Sequence, residues 1–219
     1  MATKKDKQKG GVSKAQEIVI LPPKKQSIMV KIKGTSPLIC HKWSAKAEKM
    51  ITDKQGKRAR KAREVRDPQA EFEDSMYRID RKTYGFPARA FKQALIDSCR
   101  FCEGLTMTFV KGAFYVRGDL LPIKGAKPHM RTDTVRVPPG RGGADLRYRG
   151  EFDKWEVELP IEYDANLVTP EQIVNLVNIA GWSIGVGEMR PSAPMKPGSS
   201  GMWEVAGVTG SRNGKARKR

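Results

Sequence analysis

Residues 155–163 read "WEVELPIEY": Trp155, Val157, Leu159 and Ile161 fall on one side of an extended chain, and Glu156, Glu158 and Glu162 fall on the other. Successive side chains of a strand point to opposite faces, so this alternation describes a strand with one buried and one wetted face, as in an antiparallel sheet. The strand reading extends back through "DLRYRGEFDK" from Asp145, and "MRTDTVRV" (130–137) reads as the strand before it. Between them "PPGRGGA" (138–144) is a loop, because its prolines and glycines can continue neither strand.

Downstream of this stretch comes a helix. Thr169, Pro170 and Gln172 supply a cap, a proline at the first helical position and a capping-box partner. Ile173, Leu176, Val177 and Ala180 make its apolar stripe, and Gly181 is read as its stop. After the glycine-rich "GWSIGVGEMRP" (181–191), "GMWEVAG" (201–207) is short and strand-like.

Upstream, "SIMVKIKG" (27–34) alternates Ile28, Val30 and Ile32 with Met29, Lys31 and Lys33, a further half-buried strand. Pro37 breaks it, and "LICHKW" (38–43) leads into a basic stretch, Ser44 to Arg66, with some helical character and little to build a core. In "RDPQAEFEDSMYRI" (66–79), Asp67 is a cap and Pro68 sits in a first helical turn, which predicts a short helix. "YGFPARAFKQALIDSCRF" (84–101) predicts a stronger one, from Pro87 to Phe101, with Phe91, Ala94, Leu95 and Ser98 on one face and Phe86 packing back from outside. Between Cys102 and Met130 no single period wins, and "TMTFVKGAFYVRG" (106–118) fits helix and hairpin equally.

The order strand, helix, two strands, helix, strand predicts an α+β fold: a ferredoxin-like (RRM-like) antiparallel sheet with two helices on one face. We expect one domain over residues 25–207, a basic insertion at 42–66, and basic disordered tails at 1–24 and 208–219. In RNA-recognition modules of this architecture the other face of the sheet stacks bases.

Forty-two Lys and Arg against 24 Asp and Glu give a net charge of +18, whose self-repulsion a polyanion relieves. Nucleic acid is therefore the first partner to consider. Much of the charge lies inside the chain, at Lys42, Lys54, Lys57, Arg58, Arg60, Lys61, Arg63 and Arg66, and we read the insertion as a finger that closes over a strand of nucleic acid. No apolar run approaches the roughly 18 residues of a membrane span, and the lysine-rich start lacks the apolar segment of a signal peptide. The expected location is the cytoplasm.

Three motifs carry the candidate chemistry. In the glycine-rich loop, Gly185 and Gly187 would bring backbone N–H groups close to phosphates, Trp182 would stack a base and Arg190 would neutralise a phosphate. The bland alternative is that these glycines only permit a tight approach to the sheet and that Trp182 is core. Trp43, beside Lys42, and Arg141, in the loop at 138–144, extend the candidate contacts. Cys40, His41, Cys99 and Cys102 make four conceivable zinc ligands, but the C-x-x-C ends a helix, where cysteine serves as a small apolar residue, so no metal is expected. The spacing G-x-x-x-G-x-G matches neither a dinucleotide fingerprint nor a phosphate-binding P-loop, so no cofactor is expected.

Here a resemblance can be named. "VKIKGTSPLICH" (30–41), "YGFPARAFKQALIDS" (84–98) and "IAGWSIGVGEMRP" (179–191) resemble, in the same order, the first strand, the first helix and the C-terminal glycine-rich loop of the RAMP superfamily of CRISPR effector backbones. The resemblance implies a ferredoxin-like core that binds single-stranded RNA and polymerises side by side along it. Some members are ribonucleases with a histidine general base, which makes His41 the minority catalytic candidate, with Asp53 and Asp67 as weaker acidic ones. Three classes thus stand: a non-catalytic single-strand binder, expected to form a homo-oligomer or filament on nucleic acid; an endoribonuclease using His41; and an assembly subunit with nonspecific nucleic-acid affinity. RNA against DNA, and an effector role against viral or plasmid replication and recombination, stay open.

Overall fold

The strand predicted around "WEVELPIEY" runs from Trp155 to Asp164, its side chains alternating between buried and half-buried over the whole length. The computed structural model describes residues 21–43, 45–56, 66–136 and 143–210. In chain order its elements are β1 (Lys25–Gly34), β2 (Leu38–Ile39), α1 (Ala45–Gln55), α2 (Pro68–Asp74), β3 (Tyr77–Arg78), β4 (Tyr84–Pro87) and α3 (Ala88–Ser98), which a 3-10 turn, Cys99–Phe101, prolongs. Then come α4 (Met107–Ala113), β5 (Phe114–Val116), β6 (Leu120–Pro122), β7 (Lys124–Gly125), β8 (His129–Arg136), β9 (Ala144–Phe152), β10 (Trp155–Asp164), α5 (Pro170–Ser183) and β11 (Trp203–Gly210). The molecule is α+β with antiparallel sheets.

The main sheet has the order β11-β1-β10-β5, with β7 also pairing β10. β1 lies in its middle, and Ile28, Val30 and Ile32 stand opposite Ile161, Leu159 and Val157 on the same buried face. Over that face lie α3 and α5, in contact with one another, and Phe91 of α3 meets Trp203 of β11 edge to face at 5.8 Å. Such aromatic pairs contribute about 0.5–1.5 kcal/mol beyond the area they bury. The start signals hold: Asp67 accepts from the N–H groups of Gln69 and Ala70, and Thr169 with Gln172 closes a full capping box. Phe86 packs back on Phe91, with ring centres 5.7 Å apart.

Three expectations are corrected. First, α5 does not stop at Gly181 but continues to Ser183. Gly181 is there because Trp203 crosses the helix so closely that a Cβ would lie 2.1 Å from its carbonyl oxygen. Second, β8 and β9 are not strands of the main sheet. They form a separate sheet in the order β2-β9-β8, and the place next to β10 is taken by β5. The undecided stretch 106–118 is a seven-residue helix capped by Thr106 followed by the three residues of β5, which pair with β10 and form no hairpin. Third, Pro87 ends β4 and stands as the N-cap of α3, so the helix begins at Ala88, one residue after the predicted start.

The wetted face of the main sheet is knitted by ion pairs. Lys31 meets Glu156 at 2.7 Å, Lys124 meets Glu158 at 2.7 Å and Arg117 meets Glu162 at 2.8 Å. The second sheet carries a more enclosed set: Arg149 donates to Asp133 at 2.9 Å with both side chains buried, and Arg131 donates to Asp133 and Glu151.

Candidate nucleic-acid interface

The segment that follows β2, Cys40 to Trp43, is where distant parts of the chain meet. Cys40 donates its N–H to Gly150 O of β9 at 2.8 Å, and Lys42 donates its own to Ser75 O at the end of α2, also at 2.8 Å. Glu188, in the glycine-rich loop, donates its N–H to Ile39 O at 3.0 Å. With Nδ1 protonated, His41 donates to Glu188 Oε1 at 2.8 Å, and that bond holds the Glu188 carboxyl below its ordinary range. Burial pushes the Cys40 thiol up to about 12, so it stays a neutral, apolar filler. The junction thus ties the sheet of β2, β9 and β8, the end of α2 and the glycine-rich loop to the root of the basic insertion, which holds α1.

The glycine-rich loop uses its bare backbone for the fold. Gly185 and Gly187 have φ of +67° and +80°, a region that side chains strain to enter, and a Cβ on Gly187 would lie 2.5 Å from Ile39 O. The N–H groups of Gly185, Val186 and Glu188 go to Ala180 O, Gly201 O and Ile39 O. Arg190 is half-buried, donating to Gly187 O at 3.0 Å and Ser192 Oγ at 3.1 Å. The Gly185 N–H and the Arg190 guanidinium are thus engaged within the protein.

The four tryptophans divide into an exposed pair and a buried pair. Trp182, on the last turn of α5, is 75% exposed, and Trp43 is 60% exposed, while Trp155 and Trp203 are buried. Trp182 is therefore not core. A tryptophan left in water forfeits about 1.5–3 kcal/mol or more of burial, and both exposed ones flank the segments that the sequence singles out. Lys42 is exposed beside Trp43. Lys54 belongs to α1, and Lys57, Arg58, Arg60, Lys61, Arg63 and Arg141 lie outside the described residues.

Of the acidic and metal candidates, Asp67 is committed to capping α2 and Asp53 lies in α1. His129 stands apart from His41, 3.4 Å from both Glu151 and Asp153. Cys40 and Cys99 are buried and Cys102 half-buried, and among the described residues no three His, Cys, Asp or Glu side chains form a group that would hold a metal. Nor is any described helix long and apolar enough to cross a membrane. Compared with known proteins, the chain matches no family model and no curated sequence.

Glu188 was missed by sequence reasoning. It is 147 positions from His41, and only the return of the glycine-rich loop to Ile39 brings the two together.

Proposed function

We propose that this chain is a non-catalytic protein that coats single-stranded RNA or DNA, through phosphate contacts and base stacking, and assembles side by side along the strand. The observation that carries the reading is the exposure of Trp43 and Trp182 in a chain of net charge +18. Aromatic faces stack any base, and cations neutralise phosphates without reading sequence. The main sheet's order, with β1, α3, β5, β10, α5 and β11 following one another in the chain, supports the split βαβ, ferredoxin-like arrangement, and with it the RAMP resemblance. The sheet's wetted face, however, presents Glu156, Glu158 and Glu162, each paired with a cation. We accordingly assign the contact to the junction around Trp43 and not to the face that RNA-recognition modules use.

Tryptophan fluorescence tests this directly, because the two buried tryptophans are shielded and the two exposed ones are not. Titration with single-stranded RNA, single-stranded DNA and duplex at two salt concentrations should quench the exposed pair, single strands most, with affinity falling steeply as salt rises. Absence of quenching and of filter retention at low salt with every single strand would reject the proposal.

One observation favours the ribonuclease reading as a second. Glu188 accepting from His41 Nδ1 fixes the tautomer that leaves Nε2 as a proton acceptor, which is what a general base needs. Cleavage of labelled RNA by the wild type that vanishes in His41→Ala would establish it; RNA left whole by both proteins removes it.

A further inference from the structure

A cavity of about 370 Å³ opens where β3, β4 and the start of α3 meet, lined by Tyr77, Phe86, Pro87, Arg89, Ala90 and Gln93. Its volume is within the range of small-molecule sites, roughly 300–1,000 Å³. Phe86 and Pro87 are buried and make an apolar floor, and Tyr77 is half-buried, its ring edge-on to Phe86 at 5.8 Å. The polar groups are few and of particular kinds. Gln93 spends its amide N–H on Asp97 Oδ1 at 3.0 Å, which leaves its Oε1 as an acceptor. Burial pushes the Tyr77 phenol up, so at neutral pH it remains a donor. Arg89 is exposed and, among the described residues, has no ion pair or hydrogen bond.

The lining contains a guanidinium and no carboxylate, so it favours an anion over a cation. An aromatic wall over an apolar floor suits a flat ring, and a phenol and an amide oxygen suit the donors and acceptors on that ring's edge. The cavity also adjoins the interface described above: Lys42 donates its N–H to Ser75 O, two residues before Tyr77.

We infer that this cavity is a nucleotide subsite, taking one base of the bound strand against Tyr77 and Phe86 with the adjoining phosphate on Arg89. The choice of ligand rests on the proposed single-strand function. The subsite adds to that function a preference for one base among the four, which the tryptophans and the basic insertion, reading faces and phosphates, do not supply.

The test uses the full chain, the four nucleoside monophosphates as probes, and a 30-nucleotide single strand. Arg89 and Gln93 are both exposed on α3, and alanine is the best helix former, so the double variant Arg89→Ala, Gln93→Ala should stay folded. Circular dichroism confirms that before binding is measured. We expect saturable binding of at least one monophosphate to the wild type, weakened about tenfold or more in the double variant. Affinity for the long strand should fall only severalfold, and differences among the four homopolymers should disappear. If the long strand binds but no monophosphate does, or the double variant binds monophosphates as well as the wild type, the subsite is wrong and the coating function stands. If a monophosphate binds and the strand does not, the subsite stands and the coating function falls. Binding of neither overturns both.

Discussion

The wetted face of the main sheet and the junction after β2 both carry cations, but those cations are differently placed. On the sheet, Lys31, Lys124 and Arg117 each face a glutamate of β10 within 2.8 Å, so their charge is cancelled where it stands. At the junction, Lys42 and Trp43 are exposed at the point from which the basic insertion leaves. A net charge of +18 describes the chain as a whole, and only the pairing of individual cations says where a polyanion meets the least resistance.

The largest expected loss of affinity comes from the insertion. Replacing Lys57, Arg58, Arg60 and Lys61 together with alanine should weaken binding of every single strand, by roughly a hundredfold near physiological salt. It should also reduce the slope of log affinity against log salt by about 3, at about 0.7 per phosphate. An unchanged slope in a filter-binding series makes the insertion a solvated loop and leaves the junction no more cationic in effect than the sheet.

Next in size are the exposed rings. Trp43→Ala and Trp182→Ala should each cost between about fivefold and a hundredfold in single-strand affinity, the range of one stacked base, with little change in the salt slope. Loss of the fluorescence quenching in the double variant would show that the buried Trp155 and Trp203 do not report binding. If only one of the two substitutions matters, the interface is confined to that ring's side of the molecule.

The sheet face should hardly respond. Lys31→Ala or Lys124→Ala removes an exposed ion pair, which contributes about 0–1 kcal/mol to stability, and should change strand affinity by less than about twofold. A tenfold loss would move the interface onto the sheet, and with it the base-stacking face of an RNA-recognition module.

The smallest predicted effect is a pH dependence at the junction. The bond from His41 holds Glu188 below its ordinary range, so Glu188 contributes stability that is present above the unfolded carboxyl value and lost as pH falls through the folded one. Acid titration below about pH 4.5 should therefore destabilise the wild type slightly more than Glu188→Gln. The difference should be well under 1 kcal/mol, because more than a third of both side chains is exposed to solvent.

Much of the frame was legible because it follows from local rules. The alternation at Trp155 to Ile161 gave the central strand, and Asp67 and Thr169 announced their helices by side-chain chemistry that needs only three following residues. β5 was not legible, because Phe114–Val116 is too short for a period to show and follows directly on a helix. The reading of Gly181 failed for a different reason: a glycine after an apolar stripe looks like a stop, while the pressure on it comes from Trp203, 22 positions on. At the candidate site, the sequence singled out Trp43 and Trp182 but had no means of telling an exposed tryptophan from a buried one. It also credited Gly185 and Arg190 with free groups that nearby acceptors, Ala180 O for the first and Gly187 O and Ser192 Oγ for the second, occupy.

The position of β1 in the middle of the main sheet sets a timetable. Lys25 pairs with Asp164 and Ile28 with Gly210, so the second strand to be needed is made about 140 residues after the first. At a synthesis rate of about 5–20 residues per second, Ile28, Val30 and Ile32 leave the ribosome several seconds before any partner strand exists. High sequence separation of this kind also slows refolding from denaturant, toward the milliseconds-to-seconds range of sheet proteins. Lys24, Lys25, Lys31 and Lys33 surround that waiting apolar strand, and their mutual repulsion between nascent chains hinders its pairing with a copy of itself.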